Sequence, residues 1–374
     1  MKLLKIRVPL GYKMLSKNFE INFLTKTRID KDSLNQDLLE LEDDFYYPIE
    51  TIFIGKNSSG KTSTLLLIDL VFTFLRSGRI NKNNFYDKDV FDLEIVFYEN
   101  ETIYKYNGSF KKDETRQNEY FIIKEESLER TKLKASYKKD LSNAGFSKDN
   151  NFVPNIDGDT SNISKLIPPT GFNLSVANFE NSVELFNIFY SVLGNKTFSA
   201  LLHLFDDGID YIKPHLNANK NIDGFSFKRV NDPTAVVYSS VIPLLSAGTI
   251  RGINLYGMSI LAFKAGGTII VDEIEKSFNK NLIENLLFMF NDSSINKMGA
   301  SIIYSTHYSE LLDTNNRCDN INVLHRVGNE ISLLNMSSDY DCRTDMLKSN
   351  QFNQNVFDTL LNYDRLMDLK ETLR

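Results

Sequence analysis

The chain has 374 residues, 42% of them hydrophobic and 25% charged, with a net charge of −6 at pH 7. That is enough for a large core in one or two soluble domains, and the negative balance excludes a global positive field that would draw the protein to nucleic acid. Cys318 and Cys342 suit a reducing cytosol and form no metal pattern, Lys2, Lys5 and Arg7 interrupt the N-terminal apolar run so that it is not a signal peptide, and no stretch reaches the roughly 18 uncharged apolar residues of a membrane span.

Residues 2 to 24 alternate as two strands: Leu4, Ile6 and Val8, then Phe19, Ile21 and Phe23, joined across residues 11 to 17. Residues 28 to 47 are acidic, with Asp30, Asp32, Glu40, Glu42, Asp43 and Asp44, and read as a solvated loop or short surface helix. The apolar run Ile52, Phe53, Ile54 then ends in Gly55-Lys56-Asn57-Ser58-Ser59-Gly60-Lys61-Thr62-Ser63. This fits the pattern G-x-x-x-x-G-K-S/T between a strand and a helix, which is the context of a P-loop. Backbone N–H groups of residues 56 to 62 can wrap a phosphate at a helix N-terminus. Lys61 would reach the β- and γ-phosphates of ATP, and the Thr62 hydroxyl would ligate Mg²⁺.

Residues 91 to 124 read as antiparallel strands, with Asn107-Gly108 as a turn signal. Residues 125 to 170 are polar, and Arg130, Lys132, Lys134, Lys138 and Lys139 recur there as a solvated face or a partner surface. Residues 174 to 213 read as helical, from Val176, Phe179, Val183, Phe186, Phe189 and Val192 to Leu201, Leu204, Ile209 and Ile212. His203 and His215 stand alone and are not read as metal ligands.

The second informative block begins at Leu245-Ser246-Ala247-Gly248-Thr249, which opens an apolar helix stopped by Gly266-Gly267. A buried-type strand, residues 268 to 271, ends in Asp272-Glu273. A helix is expected over 278 to 290 and a strand over 301 to 305, with His307 just past its end. In a parallel sheet the C-terminal strand ends share one edge, so residues 55 to 62, Asp272, Glu273 and His307 are expected to converge. Asp272 can hold Mg²⁺ through water, Glu273 can polarise an attacking water as general base, and His307 can donate to the γ-phosphate. Ser246 with the N–H groups of Ala247 and Gly248 forms a second phosphate cradle at a helix N-terminus. A hairpin over 321 to 336, turning at Gly328-Asn329, and a helix over 356 to 373 close the chain.

The P-loop form G-x-N-x-S-G-K-T, the Leu-Ser-x-Gly segment, the Asp-Glu strand end and the following His resemble the ABC-type ATPases. They are most similar to the RecF/SMC/OLD-like branch, and within it to the stand-alone AAA-15/AAA-21 ATPases of bacterial anti-phage defence. The resemblance covers roughly residues 1–75 and 236–325, and Ser277-Phe278-Asn279-Lys280 stands where that group often carries Leu-His-Pro. It implies an α/β P-loop NTPase, a two-lobed ABC-like fold with an antiparallel β subdomain and a helical insert. The implied layout is residues 1–125 for the N-terminal part of the core, 126–235 for a polar loop and helical insert, 236–340 for the C-terminal part and 341–374 for a helical tail. It further implies ATP and Mg²⁺ sandwiched between two head-to-tail copies, with Lys61 and Thr62 acting on their own nucleotide and Ser246 and Gly248 on the partner's.

The expected function is a cytoplasmic, ATP-hydrolysing dimer switch that controls a separate effector protein. A RecF-like DNA-binding ATPase is the alternative, which keeps a nucleic-acid surface open. A transporter subunit fits less well, because roughly 190 residues separate Gly55 from Leu245. Asp339, Asp341 and Asp345 read as a solvated turn, so no nuclease is expected within the chain.

Overall fold

The chain divides into two units, Met1–Pro169 with Tyr304–Arg374, and Thr170–Ile303. The computed structural model describes every residue except 28, 30–36, 43, 86–87, 114–118, 138–139, 167–172, 176–183, 218–221, 277–278, 316, 341, 343–346, 358–362 and 374.

In the first unit, period-two alternation builds an antiparallel sheet in the order Phe19–Asn22, Lys2–Val8, Val90–Glu99, Thr102–Lys111, Ile122–Lys132, Ser147–Lys148. Phe91, Leu93, Ile95 and Phe97 fill one face and are fully buried. Phe74, on the helix Lys61–Ser77, packs 5.1 Å from the Tyr106 ring and 5.6 Å from Phe110, which seats that helix on the sheet. The tight turn is not at Asn107-Gly108. Those residues pair with Glu94 and Leu93 in mid-strand, and the turn falls at Asn100 (φ 46°) and Glu101 (φ 62°). Two left-handed residues are what a two-residue hairpin loop demands. Gly108 serves packing instead, because a Cβ there would come 2.7 Å from the Tyr106 hydroxyl.

The P-loop strand Glu50–Gly55 is buried along its length. It runs parallel to Ile321–Val327, with Leu324 opposite Gly55. That strand turns at Gly328 (φ 61°) into Glu330–Asn335, the expected hairpin. The acidic stretch before the P-loop is more ordered than a solvated loop. Leu38–Glu42 and Phe45–Pro48 pair as a small sheet because Leu38, Phe45, Tyr46 and Tyr47 are buried; Asp30, Asp32 and Asp43 lie outside the described residues. An unexpected helix, Lys348–Asn353, precedes the one expected over 356 to 373, which is helical at Tyr363–Thr372. Asp313 fixes the first by accepting from the N–H groups of Lys348 and Ser349. Asp339 accepts from the Asn335 N–H, a turn contact as expected; Asp341 and Asp345 lie outside the described residues.

Cys318 and Cys342 are joined as a disulfide across a separation of 24 residues, a pairing the reducing-compartment reading did not anticipate. Beside it, buried Asp319 accepts from the N–H groups of Lys26 (2.8 Å) and Thr27 (2.9 Å) and pairs with Arg317. Burial alone would raise its pKa, but the Arg317 and Thr27 bonds outweigh that and hold it below the ordinary carboxylate value. A depressed folded pKa contributes stability that is present above about pH 4 and is lost as pH falls through the lowered folded value. Asp319→Asn leaves Arg317 buried without its counter-charge, so urea denaturation at neutral pH should show a loss of about 3–5 kcal/mol.

In the second unit, Asn173–Ser175 runs parallel to Thr268–Val271. The helices Glu184–Leu193 and Asn195–Phe205 break at Gly194. Ile209 and Ile212 are not helical: Ile209–Leu216 pairs with Ile222–Arg229, which pairs with Val236–Tyr238. Asp206 ends the helix by accepting from the Gly208 N–H at 3.0 Å, and Pro214 is incompatible with helix interior. Val176, Phe179 and Val183 lie outside the described residues. The helix Ala247–Ala265 is buried continuously from Thr249 to Ser259. Its Gly257 makes room for the Phe189 ring, which a Cβ would meet at 2.7 Å. Asn279 caps the helix Lys280–Asn291. The strand Ser301–Ser305 begins in this unit and its last two residues belong to the first.

Candidate functional site

Strand, loop and helix appear at residues 50 to 77 as the sequence predicts. The strand ends at Gly55 (φ 156°), Ser58 is left-handed at φ 63°, and Gly60 (φ 96°) caps the helix Lys61–Ser77. A side chain at Gly60 would strike Ile331 at 2.6 Å, and one at Gly55 would strike the Ser59 hydroxyl. The glycines therefore let backbone close where only backbone fits. No side chain caps this helix and its first turn holds no acid, so its positive end is not neutralised. Lys61 is 6% exposed and folds back over the loop, donating to the carbonyls of Gly55 (2.9 Å) and Lys56 (3.1 Å). Ser59 is 2% exposed and its hydroxyl has no hydrogen-bond partner among the described residues. An orphan hydroxyl and an ammonium held by loop carbonyls are what a triphosphate-binding loop offers to its ligand. Lys56 is half-buried, and Asn57, Ser58 and Thr62 are exposed.

His307 lies in the same unit. The Thr306 N–H beside it donates to the Phe53 carbonyl at 3.2 Å, two residues before Gly55. The backbone leading into His307 thus runs along the end of the P-loop strand.

The other predicted residues sit together in the second unit. Ser246 is the N-cap of Ala247–Ala265, and its hydroxyl accepts from the Thr249 N–H at 3.0 Å. Ser246 and Ala247 are exposed and Gly248 half-buried. This helix, like the first, has no acid in its first turn. Asp272 and Glu273 follow the wholly buried strand Thr268–Val271 and are half-buried. Glu273 is left-handed, at φ 47°. Among the described residues no group of three or more His, Cys, Asp or Glu side chains could hold a metal ion. A P-loop Mg²⁺ does not need one, since it takes one hydroxyl, one carboxylate, waters and phosphate oxygens.

The family model described as AAA domain, putative AbiEii toxin, Type IV TA system matches residues 51–313. The chain belongs to that family. The match contains residues 55 to 62, 246 to 248, 272, 273 and 307, so each predicted site residue falls inside the AAA domain. The fold is that of an α/β P-loop protein. No curated protein matches the chain. Among solved structures it is similar to the SMC head domain from Thermotoga maritima, at 14% identity and a TM-score of 0.40 over 90% of this chain and 99% of that one.

Two arginines, one inside the AAA domain and one just beyond it, escaped the sequence reading. Arg326, at the end of the strand beside the P-loop, donates to the Ser58 carbonyl at 3.3 Å and to Gly328 at 2.9 Å. Arg251, on the helix that Ser246 caps, donates to the carbonyls of Asp272 (3.0 Å) and Glu273 (2.9 Å). Neither belongs to a sequence motif, because each acts across a tertiary contact. A cavity of about 600 Å³ on the antiparallel sheet, lined by Asp92, Glu94, Asn107, Ser109, Glu125 and Glu126 among others, contains none of the predicted residues.

Proposed function

We propose that this AAA domain binds and hydrolyses ATP and that the bound nucleotide joins two copies head to tail. The switch governs a separate effector in bacterial anti-phage defence. The observation that carries the reading is an exposed helix N-terminus at Ser246-Ala247 in a chain whose P-loop helix already begins at Gly60. One nucleotide has little use for two such ends from a single chain, whereas two copies can each offer the second to the other's γ-phosphate. The exposure of Ser246 and Ala247 supports this.

Lys61 and the N–H groups of residues 56 to 62 would hold the phosphates. Thr62 and Asp272 would hold Mg²⁺, which when bound neutralises charge on the phosphate oxygens. Glu273 would take a proton from the attacking water, and His307 would donate to the γ-phosphate. Among the described residues no helix is long and apolar enough to cross a membrane. The family description, which names a toxin of a Type IV system, is the support for a defence role.

Ser246→Arg tests the sandwich. The bulky cation would occupy the place of the other copy's γ-phosphate, so turnover should fall about 100-fold or more while isolated chains still bind ATP. Mixed with Lys61→Ala, it should regain at most one working site per dimer. Full activity of Ser246→Arg alone would remove the trans role.

A further inference from the structure

Glu273 is the residue on which hydrolysis would depend, yet its backbone is in a conformation that L side chains avoid, at φ 47°. Something must hold it there. The carbonyls on either side of that φ angle, of Asp272 and Glu273, both accept from one guanidinium nitrogen of Arg251, at 3.0 and 2.9 Å. Arg251 is 4% exposed. The Lys276 N–H closes the same turn on the Glu273 carbonyl at 2.9 Å.

We propose that Arg251 is a positioning residue for Glu273: by bridging two successive carbonyls it fixes the left-handed turn and with it the direction of the Glu273 carboxylate. Charge-assisted bonds of this kind outweigh the strain of one left-handed residue. The planar guanidinium fixes the directions of both N–H bonds of that one nitrogen, whereas an ammonium would rotate freely. Arg251 lies on the helix that Ser246 caps, so the same side chain ties the start of that helix to the Asp-Glu turn. The inference rests on the ATPase reading for its catalytic consequence, but not for the turn itself.

The test uses full-length Arg251→Met, which keeps an apolar stem and removes the guanidinium. In nucleotide-free protein, amide exchange of residues 272 to 276 should quicken about tenfold or more while the strand Glu50–Gly55 stays protected. Mg-ATP affinity should stay within about threefold, and kcat should fall about 30-fold, as for a misplaced base. In a Glu273→Gln background the same substitution should leave the residual rate unchanged, since there is no carboxylate left to misplace. Arg251→Lys should regain part of kcat, and it carries the same measurements if Arg251→Met does not fold. Unaltered exchange in 272–276, an equal fall in both backgrounds, or a loss of affinity that matches the loss of kcat would each overturn the proposal. If the wild-type chain neither binds nor hydrolyses ATP, it is the ATPase reading that fails, and the exchange result alone decides whether Arg251 holds the turn.

Discussion

Lys61→Ala should abolish ATP binding while the chain stays folded. The Lys61 ammonium already lies over the loop, bonded to the Gly55 and Lys56 carbonyls. On binding, it exchanges those neutral acceptors for phosphate oxygens. Two charge-assisted bonds at about 1.5–3 kcal/mol each correspond to an affinity loss of roughly 10²–10⁴-fold. The helix should stay docked in the alanine variant, because its hydrophobic seat lies further along, at Phe74 against Tyr106 and Phe110. Titration with a fluorescent ATP analogue, alongside circular dichroism, makes the comparison. Survival of both affinity and hydrolysis would show that residues 55 to 62 do not hold phosphate.

The second large effect is expected at Glu273. Glu273→Gln keeps the shape of the side chain but cannot accept a proton from water, so hydrolysis should fall about 10²–10⁴-fold with ATP and Mg²⁺ binding retained. ATP-bound dimers should then accumulate and appear in light scattering as a doubled mass. A mutant that binds ATP yet shows no change in mass would argue against the sandwich, or for a dimer that forms without nucleotide. A mutant that hydrolyses at the wild-type rate would remove Glu273 from the chemistry.

The parts of this molecule that could be read in its sequence are those whose physics is local. A glycine loop after an apolar strand, the Asp-Glu pair closing residues 268 to 271 and the Gly328-Asn329 hairpin each carry their signal within a few residues. Asn107-Gly108 misleads because the same dipeptide can serve a turn or a tightly packed strand position, and the register that buries Tyr106 and Phe110 decides between them. Ile209 and Ile212 mislead because a spacing of three also occurs in a strand with a bulge, which this one has between Ile209 and Tyr211. Arg251, Arg326 and the Cys318–Cys342 pairing depend on segments brought together by folding, so no local pattern marks them.

The disulfide encloses the whole hairpin from Ile321 to Asn335, and the Gly328 turn at its tip is open, with nothing within 4 Å of where a side chain would point. Exposed tips of this kind are where proteases cut. A single cut there would leave two pieces still linked through Cys318 and Cys342, migrating as one band on a gel until a reductant separates them. After such a cut the strand Ile321–Val327 would stay on the piece that carries its parallel partner, the P-loop strand, and the disulfide would hold Glu330–Asn335 to it.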